Sequence, residues 1–383
     1  MYKKSAILTF YAETPIHMGA GQSVSYVDLP IQRERHTSFP VLWSSGIKGV
    51  IRDVALRVWN NDKDKVETIF GPEEGSDFAS CISITDAKIL LYPVRSLKGV
   101  FAWITCPFVL KRFKEDLKAV GVEFKHNNQE IQIPDVSDDK VSIANDNLKI
   151  QEQNNVAFEE FVFEAEVKDE VKNLAKKLKD FIPQNVLTNN LENHLAIVSD
   201  NVFKDFVNYA VEIRTRIRID QALGTVKSSA LFSEELIPSE SVFYSLVFIT
   251  DPYFGIEKEL YDRFLKAYDS GINWDGAKEQ VKNEIENLKQ SQNKEDKEKA
   301  SKLEEEFNKI KDKVEKRMKK AYENGYFVAY SENKNSIIKK FENLLNQKIG
   351  NEVKNSLLQL GGDETIGKGY VSVKFYLPQG GQQ

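Results

Sequence analysis

Three features of the sequence predict an α+β fold with a split β-α-β-β-α-β core. First, Ala6, Leu8 and Phe10 alternate with Ile7, Thr9 and Tyr11 from Ser5 to Glu13, the two-residue period of a strand, and the run stops at Pro15. Second, Ile47, Val50, Ile51, Val54 and Val58 recur at helical spacing behind Ser44 and Ser45, either of which can cap a helix. Third, Cys81 to Val94 and Gly99 to Thr105 read as two strands joined by the Arg95-Ser96-Leu97-Lys98-Gly99 turn, after which Pro107 opens a second helix to about Val120. A last strand-like run, Tyr370 to Tyr376, completes the ferredoxin-like order.

That order requires large insertions. The expected domains are a split core of residues 1–120 and 357–383, an insertion over 121–256 and a helical insertion over 257–356. In the first insertion, Glu212 to Asp220 alternates Ile213, Ile217 and Ile219 with Arg214, Arg216 and Arg218. A turn over Gln221 to Thr225 and a second run to Phe232 make this a basic β-hairpin. Lys278 to Glu323 is dense in Glu, Lys and Asn with sparse Leu, Ile and Phe at helical spacing. It reads as a solvated helical hairpin laced by i,i+4 ion pairs, or else as a docking arm.

Composition narrows the class. The chain has 383 residues, 41% of them apolar, enough for a substantial core. Its longest apolar runs, such as Val242 to Ile249, fall far short of the roughly 20 residues that span a bilayer, so no membrane helix is expected. The short run behind Lys3 and Lys4 alternates like a strand and does not suggest a signal peptide. Cys81 and Cys106 are the only cysteines and form no C-x-x-C, which points away from disulfides and zinc and towards a reducing cytoplasm. A net charge of -5 opposes nucleic-acid binding by the molecule as a whole. Basic residues nevertheless recur in the N-terminal loop, the first helix and the hairpin, where a local positive groove can form.

Three segments could carry chemistry. Between Thr14 and about Trp43 lies a loop long enough to suggest function. Its Gly19 and Gly21 permit close backbone approach, and Arg33, Arg35 and a protonated His36 would supply charge. From the residues alone, Asp28 reads as a turn aspartate before Pro30, and His17 as a packed or backbone-bonded histidine. On the first helix, Ser45, Lys48 and Arg52 stand at i, i+3 and i+7, either an ordinary solvated face or a phosphate site at a helix N-terminus. Gln359 to Tyr370 includes Gly361, Gly362, Gly367 and Lys368, either a multi-glycine turn or a loop that follows a nucleic-acid backbone; it lacks the Gly-Lys-Ser/Thr of a Walker motif.

The strings Thr14-Pro15-Ile16-His17, Val27-Asp28-Leu29-Pro30-Ile31-Gln32-Arg33-Glu34-Arg35-His36-Thr37, Gly46-Ile47-Lys48-Gly49-Val50-Ile51-Arg52, Asp86-Ala87-Lys88-Ile89, Pro93-Val94-Arg95-Ser96-Leu97-Lys98-Gly99, Arg214-Thr215-Arg216-Ile217 and Gly361-Gly362-Asp363-Glu364-Thr365-Ile366-Gly367-Lys368-Gly369 together resemble the RAMP superfamily of CRISPR proteins. Within it they are most similar to the repeating backbone subunits of type III-B (Cmr) effector complexes. The resemblance implies an RRM-like core whose copies stack head to tail along a guide CRISPR RNA beside other subunits, with the hairpin as a thumb that displaces a nucleotide. It implies that Asp28 cleaves complementary target RNA with a divalent metal, Mg2+ or Mn2+, held weakly and chiefly with RNA. Asp28 and His17 are then the catalytic candidates, and Asp28 the metal ligand. The RNA-binding candidates are Ser45, Lys48, Arg52, Arg33, Arg35, Arg214, Arg216, Arg218, Gly361, Gly362, Gly367 and Lys368. The helical stretch near 257–348 is longer than the family's, so no role carries onto it.

Two other functions stay open at this point. A non-catalytic scaffold subunit would keep Lys48, Arg52 and the hairpin while dispensing with Asp28. A metal-independent nuclease that processes guide RNA would use His17 or His36 as acid or base.

Overall fold

The computed structural model describes residues 2–23, 26–73, 78–150, 154–219, 226–331, 335–346 and 356–378. Two compact units result. The larger comprises Ser5–Ile51, Ile84–Val247 and Leu345–Gln383, and the smaller Met1–Lys4, Arg52–Ser83 and Phe248–Leu344.

In chain order the elements of the larger unit begin with β1 (Lys4–Ala12), α1 (Ser44–Val58), β2 (Ala87–Arg95), β3 (Phe101–Thr105) and α2 (Pro107–Ala119). They continue with β4 (Lys140–Ile143), β5 (Asn155–Phe158), β6 (Phe161–Val167), α3 (Asp169–Leu178), β7 (Leu195–Ile197) and α4 (Asp200–Tyr209). The hairpin strands β8 (Glu212–Ile219) and β9 (Val226–Leu236) follow, then β10 (Val242–Ile249), β11 (Ser356–Gln359) and β12 (Tyr370–Tyr376). One long mixed sheet runs β11-β12-β1-β10-β2-β3-β7-β4-β6-β5, while β8 and β9 form a separate two-stranded ribbon. The α+β class is what the sequence predicts.

One strand differs from expectation. The predicted core makes β2 and β3 its middle pair, and they do form a hairpin, with Tyr92 opposite Ile104 and Arg95 opposite Phe101. The strand between β1 and β2, however, is β10. It pairs antiparallel with β2 through Val242 and Leu91, and joins β1 where the Ala12 amide donates to the Ser241 carbonyl at 3.0 Å. The reason lies in burial. β10 reads Val-Phe-Tyr-Ser-Leu-Val-Phe-Ile and is buried almost end to end, so it needs cover on both faces and neighbours on both edges. β3 instead extends the sheet outward.

The hairpin forms where the Arg/Ile alternation places it, with Glu212 opposite Leu236 and Ile217 opposite Leu231, although β9 runs four residues beyond the expected Phe232. The predicted turn over Gln221 to Thr225 and the side chain of Arg218 lie outside the described residues.

The charged stretch of the smaller unit is helical, as expected, but its helices pack one face into a core instead of standing in solvent as a simple hairpin. Its helices include Lys258–Asp269, Trp274–Gln290, Lys294–Asn308 and Asp312–Asn324, and they share an apolar core. Trp274, Val281, Ile285, Leu303 and Met318 are all buried, and Trp274 stacks on Phe264 at 5.2 Å. The apolar residues are sparse, but they are large and face one interior, so a few aromatics supply the buried area. The charges close the outside, as in the Lys289–Glu304 pair at 2.6 Å. Among the described residues no helix is long and apolar enough to cross a membrane.

Candidate active site

The long N-terminal loop is ordered because it lies along the hairpin. Leu29 adds to β9 as a short parallel bridge to Glu234, its amide donating to the Ser233 carbonyl at 3.1 Å and its carbonyl accepting from the Glu235 amide at 3.0 Å. The loop then doubles on itself, with Gln32 N to Met18 O at 2.8 Å and Ala20 N to Pro30 O at 2.9 Å. These bonds satisfy backbone groups that a loop of this length would otherwise leave to water.

Asp28 sits at the start of this addition. Its Oδ2 accepts from both the backbone N–H of Ser233, at 2.7 Å, and the Ser233 hydroxyl, at 2.9 Å. The Asp28 amide in turn donates to Ser233 Oγ at 3.0 Å. The backbone bond and then the hydroxyl bond hold this solvent-exposed carboxyl below the usual aspartate range, which reinforces the charged form it has at neutral pH.

The alternation of β8 and β9 gives the hairpin two different faces. Arg214, Arg216, Phe232 and Glu234 share one; Ile213, Thr215, Ile217, Leu231, Ser233 and Glu235 share the other. Asp28 is fastened to the second face through Ser233. The first face holds the glycine-rich loop: Arg216 Nη1 donates to Asp363 Oδ1 at 2.7 Å and lies 3.3 Å from Glu234 Oε2. Glu234 is only 2% exposed, and burial pushes its carboxyl up. Asp363 moves the other way, lowered first by its hydrogen bond with Glu234 and then by Arg216. Of the two carboxyls, Glu234 is therefore the one whose neutral form the site favours.

His17 lies inside this junction. Its Nδ1 is 2.9 Å from the Glu235 carbonyl, which can only accept, so that nitrogen carries a proton. Glu234 Oε1 is 3.6 Å from the same nitrogen. The His17 carbonyl accepts from the Gly362 amide at 2.9 Å. Gly361 has φ +83, and a Cβ there would overlap that carbonyl, so only glycine fits. Gly367, also at positive φ, has open space around it, and Lys368 is 7% exposed.

The other basic candidates take different positions. Arg33 points inward, its guanidinium donating to the Ser38 and Val207 carbonyls at 2.9 Å each and to Glu235 at 2.5 Å. Arg35 and His36 are exposed at the tip of a turn closed by Glu34 N to Phe39 O at 2.9 Å. Arg214 pairs with Glu212 on its own strand. On α1, Ser45 is exposed, Lys48 half-buried, and the Arg52 guanidinium bonds the Gly71 carbonyl. The start of α1 abuts the loop, since a Cβ at Gly46 would fall 2.8 Å from Met18 Cε. Asp86 accepts from the Ser44 amide at 2.7 Å, occupying one of the free N–H groups of that helix.

The hairpin thus gathers Asp28, His17, Arg33, Arg216, Gly361 and Gly362, whereas Ser45, Lys48 and Arg52 remain on α1. Ser233, Glu234, Glu235 and Asp363 belong to the same constellation and had no role in the sequence reading. Once the hairpin register is drawn, Glu234 opposite Arg214 and Ser233 opposite Thr215 become visible as facing pairs. Among the described residues no three His, Cys, Asp or Glu side chains cluster as a metal cage.

The model of the RAMP superfamily matches residues 9–284, which include the loop, α1 and the hairpin. The chain is 41% identical over 252 residues to the CRISPR system Cmr endoribonuclease Cmr4 of Pyrococcus furiosus, a match covering 64% of this chain and 82% of that one. It is 26% identical over 270 residues to the CRISPR system CMR subunit Cmr4 of Saccharolobus solfataricus, covering 62% and 85%. In three dimensions it is similar to a crystal structure of oligomeric Cmr4 from Pyrococcus furiosus, with a TM-score of 0.58 and 29% identity over 98% of this chain and 99% of that one. A family match over most of the chain, holding both the aspartate and the hairpin that fixes it, shows that this chain belongs to the RAMP superfamily.

Proposed function

We propose that the chain is a guide-RNA-binding backbone subunit of a type III-B CRISPR effector complex and cuts complementary target RNA at Asp28 with Mg2+ or Mn2+. Copies stack head to tail along the guide beside other subunits. The observation that carries this reading is an ionised carboxylate, turned to solvent yet fixed by Ser233 to the hairpin. We take the neighbouring strands β12, β1, β10 and β2 as a ferredoxin-like, RRM-like RNA-binding core with β10 as its third strand.

In this reading the hairpin displaces one target nucleotide so that its 2'-hydroxyl attacks the adjacent phosphate in line: the new O–P bond closes a 2',3'-cyclic phosphate as the bond to the 5'-oxygen breaks, the 2'-hydroxyl giving its proton to water and the 5'-oxygen taking one from water. Asp28 offers one hard, charged oxygen; among the described residues no three His, Cys, Asp or Glu side chains gather around a cation site, so phosphate oxygens and water would complete the shell of a cation held there. Such a cation, when bound, neutralises charge on the phosphate under attack. His17, buried and bonded to the Glu235 carbonyl, shapes the loop rather than meeting RNA.

The test is a complex reconstituted on guide RNA and given labelled complementary target. Cleavage at regular intervals with Mg2+ and none with chelator is expected. Cleavage that persists in chelator would move the chemistry to His17 or His36, and no cleavage in either buffer would leave a scaffold.

Lys48 and Arg52 provide an independent test of guide binding. If both meet guide phosphates, Lys48→Glu with Arg52→Glu weakens binding to every sequence alike, and the salt dependence of log K flattens by about 1.4 for two lost single-strand contacts. Filter binding over a range of salt reads both quantities. An unchanged slope would show that these cations do not contact the backbone.

A further inference from the structure

Val27, next to Asp28 in the chain, lines a cavity of about 540 Å3 with Tyr26, Tyr209, Ile213, Arg33 and Glu235 among others. Two of its walls are unusual: Tyr26 is 84% exposed and Tyr209 80%, so both rings stand in water next to the same hollow. Its floor carries charge that is already matched, because Arg33 and Glu235 are paired at 2.5 Å. A matched pair neither draws in a phosphate nor repels a neutral polar ring, but it does present hydrogen-bonding edges.

The hairpin sets where this cavity lies. Ile213 and Glu235 form the cross-strand pair at its edge, and the next pair on the same face, Thr215 and Ser233, is the one that anchors Asp28. Two residues along a strand span about 7 Å, roughly one nucleotide of an extended backbone. Farther along that face Ile217 and Leu231 are exposed, an apolar edge of the kind that can prise bases apart.

We propose that the cavity between Tyr26 and Tyr209 is a binding site for one unstacked nucleobase of the strand being cut, laid against the tyrosine rings so that its adjoining phosphate rests at Asp28. The proposal rests on the reading of Asp28 as the cutting residue and adds what holds the displaced nucleotide. Every base has a face that stacks on an aromatic ring, so the site accepts any sequence. An anion is the wrong occupant, because the cavity's own guanidinium is already neutralised by Glu235.

The test uses reconstituted complexes and a target carrying an abasic ribose at the nucleotide preceding the scissile phosphate. The wild type should cut it roughly tenfold more slowly than intact target, the scale of one lost stacking contact. The Tyr26→Ala/Tyr209→Ala variant should cut intact target at that same reduced rate, with no further loss on abasic target, and phenylalanine at both positions should restore most of the rate. Wild-type complexes that cut abasic and intact target alike would overturn the proposal. So would alanine variants that lose the same factor on both targets. To separate this from the reading of Asp28, 2-aminopurine at the same position is followed in uncut Asp28→Asn complexes. Shielding from acrylamide that depends on the two tyrosines supports the site, and shielding that ignores them overturns it. Cleavage by Asp28→Asn complexes would instead remove the reading of Asp28, whatever the probe shows.

Discussion

Complexes carrying Asp28→Asn are expected to assemble, hold guide and target as well as the wild type, and cut the target about a thousandfold more slowly or not at all. On the proposed function, the size follows from losing the charged oxygen that would place a cation on the scissile phosphate, an effect of several kcal/mol on the transition state. The separation of binding from cutting follows from geometry. Asparagine keeps an oxygen able to accept from the Ser233 N–H and hydroxyl, so the loop stays on the hairpin while the charge goes. Single-turnover cleavage beside a binding titration measures both. An assembled Asp28→Asn complex cutting at the wild-type rate would return Asp28 to the role of a turn residue. The pH profile supplies a further check. The Asp28 carboxyl is held below its ordinary value, so it stays ionised above that value and is lost only as pH falls below it. Its titration cannot produce a loss of rate between pH 6 and 8, and any such limb belongs to another group.

Gly361→Ala should be strongly damaging to the glycine-rich loop, lowering stability by about 2–3 kcal/mol and the melting temperature by roughly 5–10 °C. Two costs combine. Alanine is strained at φ +83, and its Cβ would overlap the His17 carbonyl, a backbone group held by the Gly362 amide. Gly367→Ala is the control: it has φ +77 but no neighbour in reach, so only the backbone strain of about 1 kcal/mol remains. Thermal unfolding of the two variants should separate clearly. Equal melting temperatures would show that the junction of this loop with His17 contributes little.

The alternation of β1, the apolar stripe of α1 and the Arg/Ile pattern of β8 were readable because each is a local period that the chain must satisfy within a few residues. The placement of β10 was not, since its partner β1 lies more than 200 positions away and an apolar run does not name its neighbour. Asp28 presents a different case. Its chemistry reads as a turn, and only the family resemblance marked it; Ser233, which holds it, is an ordinary hydroxyl until the hairpin is folded. Arg33 looked like a free cation because its acidic partner, Glu235, is two hundred residues distant. The helices of the smaller unit were legible, but their shared core was not, as Lys and Glu outnumber the few aromatics around which the helices close.

If Asp28 cuts, its attachment to the hairpin, rather than to the sheet, would make each copy a tooth on a comb. In a row of such subunits the cut positions would be dictated by protein spacing alone, as graduations on a ruler are, and no letter of the message would matter. A single inactive copy placed among active ones would then erase one graduation and join two neighbouring fragments into one of double length. The remaining cuts would keep their positions.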